Sequence, residues 1–379
     1  MRWKDWSGYY AVCSYDPYNE RGYFAFRHAA GLIDVTPLFK YDIRGDDAAA
    51  FLSRVMVKDI SKLKTGQVTY CCWCDDRGKV IDDGTVWRLD DTCFRATAAE
   101  PNLAWFTRNA RGFDVTIEDV TRRVAALSLQ GPNSREILKR VAGDGLEALR
   151  FFRLMNTRID GFDAVVTRTG YTGDLGFEIW VDNDRAVALW DAVVSAGRPY
   201  GMEPAGLDAM DMTRVEAGFI LNGVDYFSAN HCLIDARKVS PFEAGLGWTV
   251  KLEREPFNGQ AALRAEEKRG SARAFVGLDI DWDELEMLFA QHGLPPEVPR
   301  GAWRTAVPVY APEGHQVGQA TSGSWSPTLK KNLALATVKA SHAAIGTELR
   351  IEVTVEYVRR QVKAVVCNKP FFDPPRKRA

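Results

Sequence analysis

The stretch Arg168-Thr-Gly-Tyr-Thr-Gly-Asp-Leu-Gly-Phe-Glu178 carries the strongest signal in the chain. Its three glycines favour a tight turn or a close approach of the backbone to a ligand. Glu178 then opens a strand-like run whose next residues are apolar types that proteins bury. A carboxylate held there can accept two parallel hydrogen bonds from a planar donor edge, such as an arginine or an aminopyrimidinone ring. The alternative is a glycine-rich hairpin with one solvated glutamate.

Composition places the chain among ordinary soluble globular proteins. It has 379 residues, of which 46% are hydrophobic and 26% are charged, which suits two or three domains with large cores. Lys and Arg total 49 and Asp and Glu total 50, so the net charge is −1. This balance gives no electrostatic reason to expect nucleic acid or a membrane surface as a partner. No apolar run approaches the ~18 residues of a spanning helix, so no membrane segment is predicted.

The two ends of the chain and its cysteines indicate the cellular compartment. Met1–Trp6 lacks the apolar segment of a signal peptide, and the seven scattered cysteines, an odd number, indicate no disulfide framework. We therefore expect a cytoplasmic protein. The basic run Arg376–Arg378 is too short to attract nucleic acid, and we expect it to be solvated.

The run Cys71-Cys72-Trp73-Cys74 raises the question of a metal site. A zinc site needs a second cysteine pair or histidines elsewhere, and the five histidines of the chain have no metal-ligand spacing. Period-2 alternation instead puts Cys72 and Cys74 on one face of a strand, where buried cysteines are common. We predict buried strand cysteines and no metal.

Periodicity predicts an α+β fold followed by an all-β part. The charged stretch Glu266–Arg273 marks the best boundary, so we divide the chain into residues 1–265 and 266–379. The second part has short strands with turn residues, which suggests a small β-barrel or sandwich, with an insertion near residues 282–303. Residues 1–30 show no clear period. Helices are predicted at Ala48–Val55, Leu103–Ala110, Ser134–Val141 and Gly206–Gly218.

The pair Asp82-Asp83 lies on the returning strand of a predicted hairpin. Adjacent strand residues face opposite ways, so one of the two carboxylates points into the protein. Burial between apolar neighbours raises the pKa of such a carboxyl towards general acid or base work. The alternative is a structural aspartate that accepts hydrogen bonds from nearby backbone.

A set of short motifs, in order from residue 28 to residue 372, resembles the aminomethyltransferase family, which contains the T-protein of glycine cleavage and its tetrahydrofolate-dependent relatives. Their order and spacing make the resemblance far more specific than a lone glycine motif. The motifs are Gly31-Leu-Ile-Asp-Val35, Tyr70, Val80-Ile-Asp-Asp83, Gln130-Gly-Pro132, Arg168-Thr-Gly-Tyr-Thr-Gly173, Gly176-Phe-Glu178, Arg214-Val-Glu216, Pro241-Phe-Glu-Ala-Gly-Leu246, Thr321-Ser-Gly-Ser-Trp-Ser-Pro-Thr-Leu329 and Lys369-Pro-Phe371.

The resemblance implies three domains around a central folate channel, with two interleaved α+β domains within residues 1–265 and a C-terminal small β-barrel. It implies tetrahydrofolate as cofactor, with Glu178 on the amino edge of the pterin and Asp83 as the catalytic residue near the reactive folate nitrogens. The folate-binding candidates are Glu178, Tyr70, Tyr171, Asp82 and Trp325.

Four departures from the T-protein pattern concern the one-carbon donor. Met210 stands where T-proteins have an arginine, which removes a charge and up to five hydrogen-bond donors. Pro37 replaces a histidine, the Phe227–Val239 connection is longer, and residues 282–303 are added. These changes resemble the demethylating branch of the family more than a true T-protein.

The leading hypothesis is a tetrahydrofolate-dependent transferase that demethylates a small N-, O- or S-methyl donor. If that donor is a cation, the aromatics Trp325, Tyr226 and Phe227 can surround it, although ordinary core packing is the alternative. The substrate-side candidates are Met210, Tyr226 and Phe227. One competing hypothesis is a glycine-cleavage T-protein that takes an aminomethyl group from H-protein. Another is a folate-binding protein without turnover.

Overall fold

The elements of the protein, described here over residues 1–379 of a computed structural model, form two mixed regions and a barrel. In chain order they are β1 (Arg2–Trp6), β2 (Tyr9–Ser14), α1 (Glu20–His28), β3 (Ala30–Asp34), β4 (Phe39–Arg44), α2 (Ala48–Val55), β5 (Val68–Cys74), β6 (Val80–Arg88), β7 (Cys93–Ala98), α3 (Leu103–Asn109), β8 (Thr116–Asp119), β9 (Val124–Gln130), α4 (Ser134–Ala142), β10 (Leu154–Ile159), β11 (Phe162–Thr167), β12 (Gly176–Asp182), α5 (Ala186–Gly197), β13 (Met202–Pro204), α6 (Leu207–Glu216), α7 (Gln260–Arg269), β14 (Arg273–Ile280), α8 (Trp282–Ala290), β15 (Val307–Tyr310), β16 (Gln316–Ser326), β17 (Lys331–Lys339), β18 (Glu348–Val355) and β19 (Val358–Cys367).

The first large sheet has five antiparallel strands in the order β5-β6-β7-β4-β8. Helices α2 and α3 cover it, and their apolar residues share one buried cluster with Cys71 and Trp73. Cys72 and Cys74 lie in a different cluster on the opposite face. The prediction of buried strand cysteines is therefore confirmed, with the predicted alternation between faces.

The second sheet has six strands in the order β10-β11-β12-β9-β3-β13. Its strands are antiparallel except for the pair of β13 with β3, and helices α4 and α5 contribute to its core. The chain leaves this sheet after β3, builds the whole five-stranded sheet, and returns at β9. The catalytic candidates on β6 and the folate-binding candidate on β12 therefore belong to different sheets.

The last strands form a closed barrel in the order β14-β17-β16-β15-β18-β19. Closure pairs β14 with both β17 and β19, which leaves no open edge in this part of the molecule. The proposed boundary at residue 266 lies inside α7, and residues 282–303 contain α8, which packs on the barrel core.

The sequence-based expectation for the fold class is confirmed, but that of a solvated basic tail is wrong for Arg376 and Lys377. Residues 1–30 form the hairpin β1-β2 and helix α1, which are too short to show a clear period. In the basic tail, Arg376 binds the buried carboxylate of Asp174 with contacts of 2.7 and 2.8 Å, and Lys377 is 8% exposed, while Arg378 is exposed as expected. The four predicted helices are confirmed as α2, α3, α4 and α6.

Candidate functional site

Asp83 lies on β6, where its carboxylate accepts hydrogen bonds from two tyrosines. The hydroxyl of Tyr70, on the neighbouring strand β5, donates to Oδ2 at 2.6 Å. The hydroxyl of Tyr226 donates to Oδ1 from a loop much further along the chain. Burial and then the negative charge of Asp83 raise the pKa of both phenols well above its usual range, so both hydroxyls stay protonated and donate.

Asp82 is fully buried, and its oxygens accept four N–H groups. Oδ1 accepts from the backbone of Asp83 and from Asn222 Nδ2, each at 2.9 Å. Oδ2 accepts from the backbone of Glu100 at 3.0 Å and from Asn102 Nδ2 at 2.8 Å. Asn102 is itself fixed by Tyr41 and Trp73, so this part of the site is rigid.

The two neighbouring carboxyls are electrostatically linked. Burial, and after it the charge of Asp83, raises the pKa of Asp82 to about 7, against the opposing effect of its N–H donors. Burial also raises the pKa of Asp83, while the hydroxyls of Tyr226 and Tyr70 oppose the rise. Two carboxylates this close cannot both be charged without cost, so they titrate as a pair. The pair is therefore suited to hold or release a proton near neutral pH.

Glu178 lies in the middle of the second sheet, opposite Thr167 on β11 and Ser128 on β9. Its Oε2 accepts from the hydroxyl of Thr169 at 2.6 Å and from that of Thr167 at 3.5 Å, while Oε1 has no hydrogen-bond partner in the protein. Burial raises the pKa of this carboxyl, and the two threonines oppose the rise. One oxygen is thus held in place and the other remains available to a ligand.

The glycines of the 168–178 stretch serve two different purposes. Gly173 has a φ of +76°, which fits the predicted turn. A Cβ at Gly170 or Gly176 would lie 2.0 Å from Oε1 of Gln130, so these two glycines make room for that side chain rather than for a ligand. Gln130 donates to the carbonyl of Thr169 at 3.1 Å and orders the segment that precedes Glu178.

Residues 219–226, which we call the site loop, bring several predicted residues together. Tyr171 stacks on Phe219, with ring centroids 5.6 Å apart, and its hydroxyl donates to the carbonyl of Ile220. Asn222 and Tyr226, at the other end of the loop, bind Asp82 and Asp83. The loop therefore links Tyr171, in the motif next to Glu178, with the aspartate pair on β6.

Asp225 anchors the site loop to two other parts of the molecule. Its carboxylate accepts from Arg214 of α6 at 2.5 Å, and from the hydroxyls of Thr321 and Ser322 of the barrel at 2.6 Å each. Arg214 also donates to Asp211 at 2.7 Å. Arg214 and Thr321 belong to two separate sequence motifs, and the fold brings both of them to the carboxylate of Asp225.

The remaining predicted residues lie away from these hydrogen bonds. Met210 packs against an apolar cluster that includes Tyr23, and the ring of Trp325 lies tilted by 47° against that of Trp282 of α8, with centroids 4.9 Å apart. Phe227 follows Tyr226 but is 37% exposed. None of the three donates to or accepts from Asp82 or Asp83, and their suggested roles stay predictions.

Trp248 was missed by the sequence analysis. It is 60% exposed, and its ring lies nearly parallel to that of Tyr70, with centroids 6.0 Å apart. An exposed indole stacked beside a catalytic candidate provides a flat surface for a planar ligand. Its signal was a large aromatic two residues after the matched motif that ends at Leu246.

No cluster of three or more histidine, cysteine or acidic side chains is arranged to hold a metal ion. None of the helices combines the length and the apolar character that crossing a membrane requires.

Comparisons with known proteins identify the family. Residues 2–254 match the model of the GCVT N-terminal domain, and residues 273–373 match that of the glycine cleavage T-protein C-terminal barrel domain. The chain belongs to the glycine cleavage T-protein family. Family membership confirms the predicted three-domain fold with its C-terminal barrel. It also confirms tetrahydrofolate as the cofactor.

Individual relatives agree with this assignment. An aminomethyltransferase of Caldanaerobacter subterraneus subsp. tengcongensis is 35% identical over 353 residues, covering 92% of this chain and 86% of the relative. One of Bacillus cereus is 34% identical over 354 residues, covering 92% and 88%. The crystal structure of aminomethyltransferase T from Bartonella henselae superposes with a TM-score of 0.82 at 26% identity, covering 98% of this chain and 94% of that one. All three of these relatives are named as aminomethyltransferases and none as a demethylase.

Proposed function

We propose that this protein transfers the carbon of an aminomethyl group to tetrahydrofolate and releases ammonia. The observation that carries the proposal is the carboxylate of Asp83, bound by Tyr70 and Tyr226 and backed by the buried Asp82. The relatives named aminomethyltransferase favour this one-carbon donor over the methyl donor that the sequence analysis put first.

The reaction balances without an oxidant. In a donor of the form R–S–CH₂–NH₂, the carbon–sulfur and carbon–nitrogen bonds break, and the carbon forms new bonds to N5 and N10 of the folate. The two protons lost from N5 and N10 leave on ammonia and on the thiol. The proton-holding pair of Asp82 and Asp83 supplies a place through which one of these protons passes.

The protein's part is mainly positioning. Glu178 offers its unpartnered Oε1, together with Oε2, to the amino edge of the pterin. The tyrosines and Trp248 provide aromatic surfaces on which the planar ring rests. Holding N5 and the donor carbon at near-contact distance lowers the activation free energy of the transfer by several kcal/mol, about the effect seen for well-oriented reactants.

Demethylation of a small methyl donor is the second candidate. Met210 favours it, because an apolar side chain stands where T-proteins carry an arginine and lies in an apolar cluster. This reaction yields methyl-tetrahydrofolate and no ammonia, which separates it from the first candidate.

One experiment distinguishes the candidates. The protein is incubated with tetrahydrofolate and either aminomethylated H-protein or small methyl donors, and folate products and ammonia are measured. Methylene-tetrahydrofolate with ammonia supports aminomethyl transfer, whereas methyl-tetrahydrofolate supports demethylation. Folate binding by calorimetry without any product would leave only a binding protein. The Asp83→Ala variant is the control, because it should lose turnover and keep folate affinity.

A further inference from the structure

Asn222 of the site loop has an unusual side chain. Its Nδ2 donates to Oδ1 of Asp82 at 2.9 Å. In this arrangement the amide nitrogen faces Asp82, and the carbonyl oxygen points away from it. That oxygen is buried and has no hydrogen-bond partner in the protein.

Such an oxygen calls for an explanation, because nearly all buried polar atoms in proteins are paired. The other buried side-chain atoms without a partner belong to residues outside the site loop, and Asn332 of the barrel is the only other asparagine among them. The oxygen of Asn222 is distinguished by its place beside the aspartate pair. The oxygens of Asp82 and Asp83 already accept hydrogen bonds from the protein, so within this group only the Asn222 oxygen lacks a donor.

We propose that Oδ1 of Asn222 accepts a hydrogen bond from an N–H group of a ligand bound beside Asp82 and Asp83. The proposal rests on the proposed function and names a residue that binds one of its two substrates. The N–H group comes either from the amine of an aminomethyl donor or from a reduced ring nitrogen of folate. If the group belongs to the donor, a methyl ether or a methylsulfonium is disfavoured, because it offers no such hydrogen and leaves the oxygen unpaired.

Two variants separate this role from the support that Asn222 gives to Asp82. Asn222→Leu removes both the N–H and the oxygen, whereas Asn222→Asp keeps an oxygen that accepts. Asn332→Leu is the matched control, since it removes a similarly unpaired oxygen from the barrel. Tetrahydrofolate affinity is measured by calorimetry, and KM and kcat are measured with the aminomethyl donor at saturating folate.

We expect Asn222→Leu to weaken one ligand about 10- to 100-fold, while Asn332→Leu binds it within about threefold of the parent protein. Asn222→Asp keeps an accepting oxygen but adds a carboxyl beside Asp82, so it should bind that ligand more tightly than Asn222→Leu does. A raised KM with unchanged folate affinity assigns the N–H to the one-carbon donor, and weakened folate affinity assigns it to folate. A fall in kcat shared by Asn222→Leu and Asn222→Asp, with both ligands bound as tightly as in the parent, overturns the proposal and reports only the lost support of Asp82.

The proposal is overturned if Asn222→Leu binds both ligands as tightly as the parent. A crystal structure of the parent protein with folate and a stable amino analogue of the donor gives an independent test, which holds even if the leucine variant does not fold. A ligand nitrogen within about 3.2 Å of Oδ1 supports the proposal, and a water alone at that oxygen contradicts it. Folate binding without turnover would refute the proposed function, but the calorimetric measurement of folate affinity would still test the role of Asn222.

Discussion

At the scale of single residues, two adjacent aspartates on one strand have different surroundings. Asp82 is held by N–H groups and Asp83 by phenolic hydroxyls. The sequence predicted an inward carboxylate from alternation, and the family motif pointed to Asp83 with Tyr70. The sequence did not predict the hydrogen bond from Tyr226 to Asp83, because Tyr226 lies 143 positions away and belongs to no local pattern.

The Asp83→Asn variant should lower kcat about 10²- to 10⁴-fold, the usual contribution of a positioned acid or base. Folate affinity should change less than threefold, because Glu178 supplies the pterin contact. Product formation under saturating folate measures the first quantity, and calorimetry measures the second. Activity above a tenth of the parent value would exclude a catalytic role for Asp83.

The raised pKa values of the aspartate pair make stability depend on pH. The folded protein binds protons on these carboxyls more tightly than the unfolded chain does. In the unfolded chain the pKa of each carboxyl is near 3.8, whereas in the folded protein the pKa of Asp82 rises to about 7 and that of Asp83 rises too. The contribution of the pair to the free energy of unfolding therefore falls progressively as pH rises from about 4 to 7. Asp83→Asn should raise Tm at pH 8 and have a smaller effect at pH 5. A Tm difference that is the same at both pH values would contradict this explanation.

Glu178→Gln should weaken tetrahydrofolate binding about 10- to 100-fold, because charge-assisted hydrogen bonds to the pterin become neutral ones. Calorimetric titration measures the change. Glu356→Gln, at an exposed turn of the barrel, is the control and should bind folate normally. Equal affinities in all three proteins would remove Glu178 from the folate site.

At the scale of elements, the glycine-rich stretch is shaped by a strand partner. Its sequence predicted a tight turn or a close approach of the backbone to a ligand. The turn is present at Gly173, but the group that lies against Gly170 and Gly176 is Gln130 of β9. Sequence spacing reveals that a glycine is needed without revealing what lies against it. The partner is set by the sheet order, in which β9 pairs with β12.

Gly176→Ala should cost about 1–3 kcal/mol of unfolding free energy, because the new methyl group overlaps the Gln130 side chain. In a Gln130→Ser background the same change should cost much less, since the obstructing amide is gone. Urea denaturation of the four proteins gives the coupling energy. Simple additivity of the two changes would show that the two side chains do not compete for space.

At the scale of the whole molecule, the chain moves from one sheet to the other and back before it forms the barrel. Local periodicity predicted most helices and the barrel strands, because these signals are contained in short windows. It did not predict which strands share a sheet or that the final residues pack on the core. Those features depend on pairings between distant residues, such as Arg376 with Asp174, 202 positions apart.

Arg376→Gln should lower the free energy of unfolding by about 1–3 kcal/mol, because it leaves the buried carboxylate of Asp174 with less compensation. Arg378→Gln is a matched change in the same tail. Its partner Asp373 is partly exposed, so the cost should stay below about 1 kcal/mol. Chemical denaturation compares the two variants, and equal losses would mean that the Asp174 contact has no special weight.

The stack of Trp248 on Tyr70 also gives the molecule an optical reporter. Of the 11 tryptophans, only Trp248 and Trp3 are counted among the exposed large apolar side chains, and only Trp248 adjoins the aspartate pair through Tyr70. A planar ligand that covers this indole shields it from water and absorbs its emission. Quenching and a blue shift of intrinsic fluorescence should therefore follow cofactor titration in real time, and a Trp248→Phe protein should give almost no such signal.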